Sequence, residues 1–504
     1  MKNIFRILCI LLVACFTLTA FAACGDKEDE SVTSSEEQKV ETSEDEGGFR
    51  LEKKDFGDVT IKVLTDKTND FLACEIAPLE LNTEPVNDAA YDRATLISQE
   101  YGITIEQVHA ENQSKVIETA REMITTNTDE YQIYCAAVYY LAILSVEDMF
   151  VDLANITQND YIDLKQPYWD QAIVKDLSLL GSTYFATGDA LVTDDEATWA
   201  IFYNKDIADN NHLAEAYDAT TLYQIVSRGD WTLDMMHEMA KTATNVTGGT
   251  MEFSVDTDDT WGLAAQCYDS YAFTVGADQS ITRIENDVPV ITIGEEANIN
   301  AYDKVFTILT DKQCTGIAEI DGRAAGSSDV YGDQITLFAN GHALFMPYRV
   351  AAASMQQMRE ADIRYGILPM PKLDDKQDDY SSTITVYWCS ALAIPASNVE
   401  KFDATCYAME ALAYYGQETL TPEYYERTLK YKRFPDDDEA AESLDLIFKN
   451  KSYDIGAVFN FGSMLSFYTD ILLTGSNSHA STLEAKQSSY QSAIDSFVEM
   501  LRAE

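Results

Sequence analysis

Positive charge is scarce in this 504-residue sequence. It has 35 Lys and Arg against 85 Asp and Glu, which gives a formal net charge of −50 at pH 7. Nucleic-acid binding depends on basic patches that neutralise phosphates, and adhesion to anionic lipid depends on clustered Lys and Arg. The charge balance therefore argues against a nucleic-acid partner and against direct adhesion to an anionic membrane. It favours solubility, and it says little about any single pocket.

Histidine is also rare, and neither His nor Cys shows the spacing of a metal site. The five His are scattered along the chain, and no C-x-x-C pair is present. Zinc sites usually show paired ligands a few residues apart. We therefore predict no metal site and no cofactor. An exported chain could form disulfides, and the sequence leaves open which Cys after residue 24 would pair: Cys74, Cys135, Cys267, Cys314, Cys389 and Cys406.

Long apolar runs are absent after residue 21, so the body of the chain has no predicted membrane-spanning helix. The N-terminus has the basic start, apolar middle and small residues of a secretory signal peptide, predicted for 1–23. Ala22-Ala23-Cys24-Gly25 resembles the lipobox of bacterial lipoproteins, although Phe21 stands where Leu is usual. We expect lipid attachment at Cys24. The alternatives are an ordinary signal peptide with a coincidental Cys, or Leu12–Cys15, which would leave too short an apolar core.

An acidic segment with few apolar residues follows Cys24. Residues 25–48 contain ten Asp or Glu and two Lys, a net charge of 2 − 10 = −8. Such a segment cannot bury enough apolar surface to offset the entropy lost on ordering, so we predict a disordered tether over 24–55. Two or more lipid chains give stable anchoring where one gives marginal binding. The sequence thus predicts a globular body that is lipid-anchored on the extracellular face of a cell membrane.

The remaining chain is too long for a single hydrophobic core, which predicts two lobes. Asp58–Leu64 and Ile103–Val108 alternate like strands, and a helical pattern that Asn87 and Asp88 would cap lies between them. Strands that alternate with helices favour an α/β fold with a mainly parallel sheet.

Several segments, in this order, resemble the extracellular solute-binding proteins of ABC importers, specifically the carbohydrate type called family 1. They are "NTEPVNDAAYDR" (82–93), "YGITIEQV" (101–108), "QPYWDQAIVKDLSLLGSTYFATGDAL" (166–191), "ATWAIFYNKD" (197–206), "LYQIVSRGDWTLDMMHEMAK" (222–241), "FANGHALFM" (338–346) and "YGILPMPKLDDKQDDYSS" (365–382). The similarity covers most of the chain beyond residue 56, and Tyr168 stands where a Trp is common. The resemblance implies a two-lobed, periplasmic-binding-protein-like (type II) α/β fold with hinge strands and an inter-lobe cleft. It also implies a monomer that works with permease subunits in the membrane.

The resemblance also predicts where the chain passes between lobes. The first crossing is expected at 197–206, the return near Phe345–Pro347, and a further crossing near Trp388–Pro395. Lobe one would then comprise 56–195 plus 347–387. Lobe two would comprise 196–346 plus 388–504.

Side chains that hold a sugar are expected at these crossings. Aromatic rings bury the flat C–H faces of a sugar, and charged or amide groups bind its hydroxyls. Tyr348 and Arg349 follow a predicted crossing and are the favoured pair, although Arg349 could instead form a surface ion pair. Strand alternation would let only one of Tyr387 and Trp388 face the cleft. Trp199, on the first crossing, either contacts solute or packs in the core.

Trp261, Asp189 and Asp194 are further candidates for ligand binding. Trp261 follows the acidic run 256–259, which could be a lip loop of the cleft or a simple exposed turn. The run offers oxygen ligands for calcium, but the Gly and Glu of an EF-hand loop are missing. Asp189 and Asp194 flank the predicted hinge and could accept hydrogen bonds from sugar hydroxyls, or could be solvated charges.

Together these patterns predict the membrane-anchored substrate-binding component of an ABC importer, which captures a carbohydrate, in particular an oligosaccharide, by hinge closure. No enzymatic activity is predicted. A glycosidase needs two carboxylates about 5–9 Å apart, for which so acidic a composition gives no specific support, and the G-x-S-x-G motif is absent. The alternatives are a binding lipoprotein for another small solute such as a peptide or polyamine, a surface glycan-acting enzyme, and an adhesin or scaffold.

Overall fold

A computed structural model describes residues 48–66, 76–247, 251–434 and 437–503. Within it, Phe49–Glu504 form one compact unit. The predicted signal peptide, the lipidation site at Cys24 and residues 25–47 of the acidic tether lie outside the described residues and stay predictions. The prediction that the disordered tether continues to residue 55 is wrong, because the Phe49 ring lies 5.6 Å from that of Tyr407 and Arg50 Nε donates to Glu410 (2.7 Å). No helix among the described residues is both long enough and apolar enough to cross a membrane.

The strands are short and fall into two main sheets. In chain order they are β1 (Val59–Asp66), β2 (Ile103–Ala110), β3 (Ile133–Ala137), β4 (Trp199–Asn204), β5 (Trp261–Ala265), β6 (Thr282–Glu285), β7 (Val288–Ile291), β8 (Thr315–Ile317), β9 (Ala343–Arg349), β10 (Tyr365–Leu368), β11 (Ser382–Thr383), β12 (Ser390–Ala393) and β13 (Lys451–Ser452).

The α-helices cover the faces of these sheets. They are α1 (Pro85–Tyr101), α2 (Gln113–Thr125), α3 (Val138–Ser145), α4 (Gln171–Leu177), α5 (Thr193–Ala197), α6 (Lys205–Asn210), α7 (Leu222–Ser227), α8 (Leu233–Ala243), α9 (Asp269–Gly276), α10 (Glu296–Leu309), α11 (Val330–Ala339), α12 (Gln356–Arg359), α13 (Phe402–Pro422), α14 (Asp438–Lys449), α15 (Ile455–Val458), α16 (Phe467–Thr474) and α17 (His479–Ala503). A π-helical segment, Glu423–Arg433, continues α13.

The first sheet has the strand order β12-β3-β1-β2. β1 runs parallel to β2 and β3, and β12 runs antiparallel to β3. β1 and β2 pair residue by residue, from Val59 with Ile103 to Asp66 with Ala110. The strands predicted at Asp58–Leu64 and Ile103–Val108 are confirmed as β1 and β2, and each ends two residues later than the alternation indicates.

The second sheet has the strand order β10-β4-β9-β5-β8. β5 is parallel to β8 and β9, whereas β4 is antiparallel to β9 and β10. A separate hairpin joins β6 to β7 through Asn286 and Asp287, which both have positive φ, at 51° and 64°. Two such residues in a two-residue loop give the turn twist that antiparallel strands require.

Strand pairing corrects the predicted crossings and the predicted assignment of residues to the two lobes. β9 pairs with β4 and β5 within the second sheet, so the return predicted near Phe345–Pro347 is wrong. β10 also belongs to the second sheet, which contradicts the assignment of 347–387 to lobe one. β12 belongs to the first sheet, which contradicts the assignment of 388–504 to lobe two. The chain does cross near Trp388, but from the second sheet to the first.

Helix starts follow local capping chemistry in part. Thr221 and Thr232 accept hydrogen bonds from the amides of Gln224 (3.3 Å) and Met235 (3.4 Å), so they cap α7 and α8 as side-chain acceptors. The cap predicted at Asn87 is wrong, because α1 already begins at Pro85, whose missing N–H is tolerated in a first turn.

Apolar side chains between the sheets and their helices form the core. In the first sheet, Ile61 and Val63 pack with side chains of α1 and α13. On the second sheet, Phe202 and Leu263 pack with side chains of α8 and α11. Each sheet thus has its own layer of covering helices, as expected for two α/β lobes.

A buried carboxylate fixes the turn at 167–170 that precedes α4. Glu410 of α13 is fully buried and accepts hydrogen bonds from Tyr168 Oη (2.5 Å), Trp169 Nε1 (3.1 Å) and Arg50 Nε (2.7 Å). Burial raises the pKa of Glu410, and the hydrogen bonds from Tyr168 and the charge of Arg50 oppose that shift. Trp169 is therefore a packed structural residue.

We predict that Glu410→Leu destabilises the protein by about 3–5 kcal/mol, because it leaves Arg50 and two buried donors without their acceptor. Urea unfolding at pH 7 measures the change. Glu418→Leu, on an exposed face of the same helix, is the matched control and should change the free energy of unfolding by less than about 0.5 kcal/mol. Equal stability of the two variants would contradict this role for Glu410.

Candidate ligand-binding site

The carboxyl ends of β1, β2 and β3 meet at one edge of the first sheet, because these strands are parallel. We call this the first-sheet edge. Asp66 ends β1, and Ala137 ends β3 and pairs with Ser390 of β12. Gln113, at the start of α2, joins them: its Nε2 donates to Asp66 Oδ1 (2.7 Å) and its Oε1 accepts from the Ala137 amide (2.9 Å). The Gln113 side chain therefore links the end of β1 to the end of β3.

The second sheet has a corresponding edge, formed where β5, β8 and β9 end and β4 begins. We call it the second-sheet edge. Trp199 pairs with Arg349 across β4 and β9, so both lie at this edge. The amide of Cys267, which follows β5, donates to Glu319 Oε2 (2.8 Å), just beyond the end of β8. Polar and aromatic side chains thus meet at the edge, as is common where the strands of open α/β sheets end.

An aromatic stack occupies the second-sheet edge. The Trp199 ring lies 4.9 Å from Tyr268 and 5.6 Å from Tyr348, where the interplanar angle is 22°. Trp199 Nε1 donates to Asp269 Oδ1 (2.8 Å), and Asp269 Oδ2 accepts from the Gln266 amide (2.8 Å). Burial raises the pKa of Asp269 well above its ordinary value. Trp199 is 4% exposed, so it is packed in the core and also lies at the second-sheet edge.

Arg349 connects the two edges. Its guanidinium carbon lies 4.2 Å from the ring centre of Trp388. Trp388 is half-buried and lies two residues before the first-sheet strand β12. Arg349 is itself 5% exposed, which rules out the surface ion pair considered as its alternative. Burial raises the pKa of Glu196 to about 7, and the positive charge of Arg349 opposes that shift. The predicted residues Tyr348, Arg349, Trp199 and Trp388 therefore lie together.

The local structure at 385–389 differs from the predicted strand. The amides of Trp388 and Cys389 both donate to the Thr385 carbonyl (3.1 Å each), so these residues form a turn. The alternation of side chains along a strand does not apply to a turn, so the rings of both Tyr387 and Trp388 can lie near the first-sheet edge. Tyr387 is 39% exposed and its ring is 4.8 Å from Tyr139.

Sequence reasoning missed several aromatic residues of this region. Tyr139 and Tyr140 lie in the first turn of α3, which follows β3, and their rings lie 5.3 Å apart. Tyr268 follows β5, and its hydroxyl donates to the Ile384 carbonyl (3.3 Å). All three directly follow parallel strands, so the position of the strand ends is the signal that could have found them.

We define the aromatic cluster as Trp199, Tyr268, Tyr348, Arg349, Trp388, Tyr139 and Tyr387. It offers ring faces and a guanidinium, which together can cover the C–H surface of a polyol or sugar and bind its oxygens.

Asp194 lies outside this cluster, in a buried charge network at the hinge. The ammonium of Lys451 forms ion pairs with Asp194, with Asp195 (2.8 Å) and with Asp170 (3.1 Å). Burial raises the pKa of Asp194 well above its ordinary value, and the charge of Lys451 opposes that shift. Burial acts to lower the pKa of Lys451, but the carboxylates outweigh it and raise that pKa. A carboxylate engaged in this way is a structural residue, which contradicts its prediction as a sugar ligand.

Asp189 is also held by protein groups. Its Oδ1 accepts from Thr421 Oγ1 (2.6 Å), and burial raises its pKa to about 6. It lines a cavity of about 200 Å³ together with Asp194 and Lys451. Sites for small organic ligands usually have about 300–1,000 Å³. This cavity is therefore too small for an oligosaccharide.

Trp261 lies in the core of the second lobe and not on a lip loop. It begins β5, is 3% exposed, and packs on Phe253 at 5.7 Å between ring centres. Its Nε1 donates to the Glu252 carbonyl (3.2 Å). Because β5 reaches the second-sheet edge at its other end, the prediction of Trp261 as a ligand residue is wrong.

The chain segments that join the sheets run side by side. Thr198 pairs with Ile384, and the Thr385 amide donates to the Ala197 carbonyl (2.8 Å). β11 pairs with β13 in parallel, which brings Lys451 beside these segments. We call 193–199, 382–390 and 450–453 the crossing segments. Their mutual pairing forms a connected hinge between the two sheet edges.

Comparisons with known proteins place this architecture. Neither protein-family profiles nor curated proteins give a match to the sequence. The structure of UgpB from Mycobacterium tuberculosis, in complex with glycerophosphocholine, is similar with a TM-score of 0.57 at 14% identity, over 87% of this chain and 99% of that chain. An ABC substrate-binding protein from Listeria monocytogenes, in complex with cycloalternan, gives 0.52 at 13% identity, over 88% and 98%.

The maltose/maltodextrin-binding domain MalE from Bdellovibrio bacteriovorus, bound to maltotriose, gives a TM-score of 0.52 at 12% identity, over 88% of this chain and 100% of that chain. Similarity at this level of identity establishes the fold. It spans nearly the full length of each solved structure, so both sheets and the crossing segments take part. The chain therefore has the two-lobed α/β fold of these substrate-binding proteins, which confirms the predicted fold class.

Proposed function

We propose that this protein is the extracellular substrate-binding component of an ABC importer and that it captures a carbohydrate between the two sheet edges. The observation that carries the proposal is the aromatic cluster, which joins residues from both edges around Arg349. The solute is an oligosaccharide, held without chemical change and delivered to a membrane permease. Lipid attachment at Cys24 keeps the protein at the outer face of the membrane.

The chemistry of the cluster supports a polyol or sugar ligand. Tyr387 is exposed and Trp388 is half-buried, and aromatic rings in such positions can bury the C–H surface of a sugar ring. Arg349 supplies several fixed N–H donors for hydroxyl oxygens. The similar solved structures carry cycloalternan and maltotriose, both of which are oligosaccharides.

Hinge closure would couple binding to transport. The crossing segments are the shared connection of the two lobes, and hinge closure around a ligand is a common motion of such folds. A solute favours the closed state only through contacts that it makes with both lobes. The contact of Arg349 with Trp388 lies between the two edges, so a ligand there would touch both.

A phosphodiester of a small polyol is a second candidate. Arg349 is a guanidinium among aromatic rings, and this combination suits a phosphate and a quaternary ammonium as well as a sugar. UgpB, which has the same fold, is in complex with glycerophosphocholine.

Calorimetric titration with neutral oligosaccharides, glycerophosphocholine and a peptide mixture tests the proposal. We expect binding of an oligosaccharide, a smaller radius of gyration by X-ray scattering in its presence, and recovery of the sugar unchanged. Binding of glycerophosphocholine alone would select the second candidate. Binding of peptides alone, or release of shortened sugars, would contradict both.

Trp388→Ala should weaken sugar binding by about 10- to 50-fold, the effect expected when a central aromatic of a binding surface is truncated. Trp388 suits this test because it is half-buried, so its loss should spare the fold. Trp261→Phe is the matched control, since this Trp is buried at the far end of β5. The sugar affinity of this variant should stay within about twofold of that of the parent protein. Equal affinities for all three proteins would exclude the aromatic cluster as the binding site.

Lys451→Met should destabilise the protein by about 3–5 kcal/mol at pH 7.5, because it leaves the buried carboxylates of Asp170 and Asp194 and the half-buried carboxylate of Asp195 without their cation. Burial already raises the pKa of Asp194 above its unfolded value, and without the opposing charge of Lys451 that pKa rises further. Stability of the variant therefore falls as pH rises, and the deficit relative to the parent shrinks toward pH 5. Urea unfolding at both pH values measures this. Exposed Lys449→Met is the control, and a deficit independent of pH would contradict the electrostatic explanation.

A further inference from the structure

A group of three potential metal ligands lies in the second lobe, away from the aromatic cluster. His237, Asp311 and Cys314 each offer one ligand atom, and these atoms all lie within 4.8 Å of one another. Among the described residues, this is the single group of three or more His, Cys, Asp or Glu side chains with that property. We propose that it binds a zinc ion or a similar divalent transition metal.

The three residues come from elements that are distant in sequence. His237 lies on α8, whereas Asp311 and Cys314 lie in the turn between α10 and β8. That turn precedes β8, so the group sits at the end of the strand opposite the second-sheet edge. The site is therefore separate from the proposed ligand site, and the inference stands whether or not the protein binds sugar.

The turn orients its two ligands. Asp311 Oδ1 accepts from the Gln313 amide (3.1 Å), and the Asp311 carbonyl accepts from the amides of Cys314 (3.1 Å) and Thr315 (2.9 Å). This leaves Asp311 Oδ2 directed at His237 Nε2, at 2.9 Å. One carboxylate oxygen thus fixes the backbone while the other points at the imidazole, as hydrogen-bonded ligand carboxylates do in metal sites.

The spacing of the three ligand atoms suits a small metal ion. Zinc bonds of about 2.0–2.3 Å with tetrahedral angles place ligand atoms about 3.3–3.7 Å apart. The longest separation between these ligand atoms is at most 4.8 Å, so side-chain rotations that move the atoms by about 1 Å would complete the site. Cys314 is fully buried, while the His237 and Asp311 side chains are 12% and 21% exposed. This partly open side gives the metal an entry path and leaves room for a water as fourth ligand.

The donor set selects the class of metal. One nitrogen, one oxygen and one sulfur ligand favour zinc or a neighbouring transition metal, whereas calcium and magnesium prefer oxygen ligands alone. On binding, the Cys314 thiol gives its proton to solvent and the thiolate bonds the metal. The bound metal would link α8 to the turn before β8 and so stabilise the second lobe.

The competing explanation is a plain hydrogen bond between His237 and Asp311, with Cys314 as a small core residue. Cobalt binding separates the two explanations, because a thiolate bound to Co²⁺ absorbs in the near ultraviolet through charge transfer. The chain should be free of histidine tags and stripped with a chelator. We expect one Co²⁺ per chain with this band, and its displacement by Zn²⁺.

Variants assign the site. Cys314→Ala should abolish the charge-transfer band, and His237→Gln should weaken Zn²⁺ binding by more than about tenfold. Cys406→Ala, at a fully buried Cys of the first lobe, and His212→Gln, at an exposed His, are matched controls that should change neither property. Asp311→Asn keeps the side-chain shape, so it tests the carboxylate if Cys314→Ala fails to fold. Zn²⁺ should also raise the thermal unfolding midpoint of the parent by a few degrees more than that of His237→Gln.

Two results would overturn the proposal. The first is a charge-transfer band that persists in Cys314→Ala, since the thiolate would then belong to another Cys. The second is Zn²⁺ binding that is equal in the parent and in His237→Gln or Asp311→Asn.

Discussion

The buried ammonium of Lys451 is the interaction on which the arrangement of the two sheets depends. It contacts Asp170, Asp194 and Asp195 at the point where the crossing segments run side by side. A buried charge is unfavourable unless it is paired, so these groups must stay within ion-pair distance of one another in the folded state. One ammonium faces three carboxylates, and burial, together with the nearby charges of Asp195 and Asp170, raises the pKa of Asp194. The network therefore fixes α4, α5 and β13 relative to one another.

Local patterns predicted the elements whose formation depends on neighbouring residues. The alternation at the start of β2 reflects a buried face and an exposed one, whereas the second half of β1 is buried on both faces. Long-range pairing could not be predicted in this way. β10 and β12 are both short apolar strands, and nothing within them states that the first joins β4 while the second joins β3. Two segments were therefore exchanged between the predicted lobes.

The site shows the same division between local and distant information. Tyr348 and Arg349 were predicted from a crossing that the structure does not show, and they lie at the second-sheet edge because β9 ends there. Trp388 was predicted from a crossing that the structure does show. Trp261 was misplaced because burial of its strand depends on Phe253 and on the far end of the sheet, which an acidic run nearby does not reveal. His237 and Asp311 are 74 residues apart, so no motif with short spacing could connect them. Their proximity arises from the packing of α8 near the turn before β8.

The five-residue helix α5 links the candidate site to the hinge. Asp194 and Asp195 in its first turn hold Lys451, and the next residue, Glu196, is buried near Arg349. Arg349 lies over Trp388, so a ligand between the sheet edges would change the electrostatic surroundings of the helix that anchors the crossing segments. Burial opposes ionisation of Glu196, and the guanidinium of Arg349 favours it, so movement of that guanidinium changes the charge balance within α5. Packed elements of this kind move between discrete arrangements and do not deform continuously. Two adjacent sets of charges on one short helix therefore connect the proposed ligand site with the crossing segments.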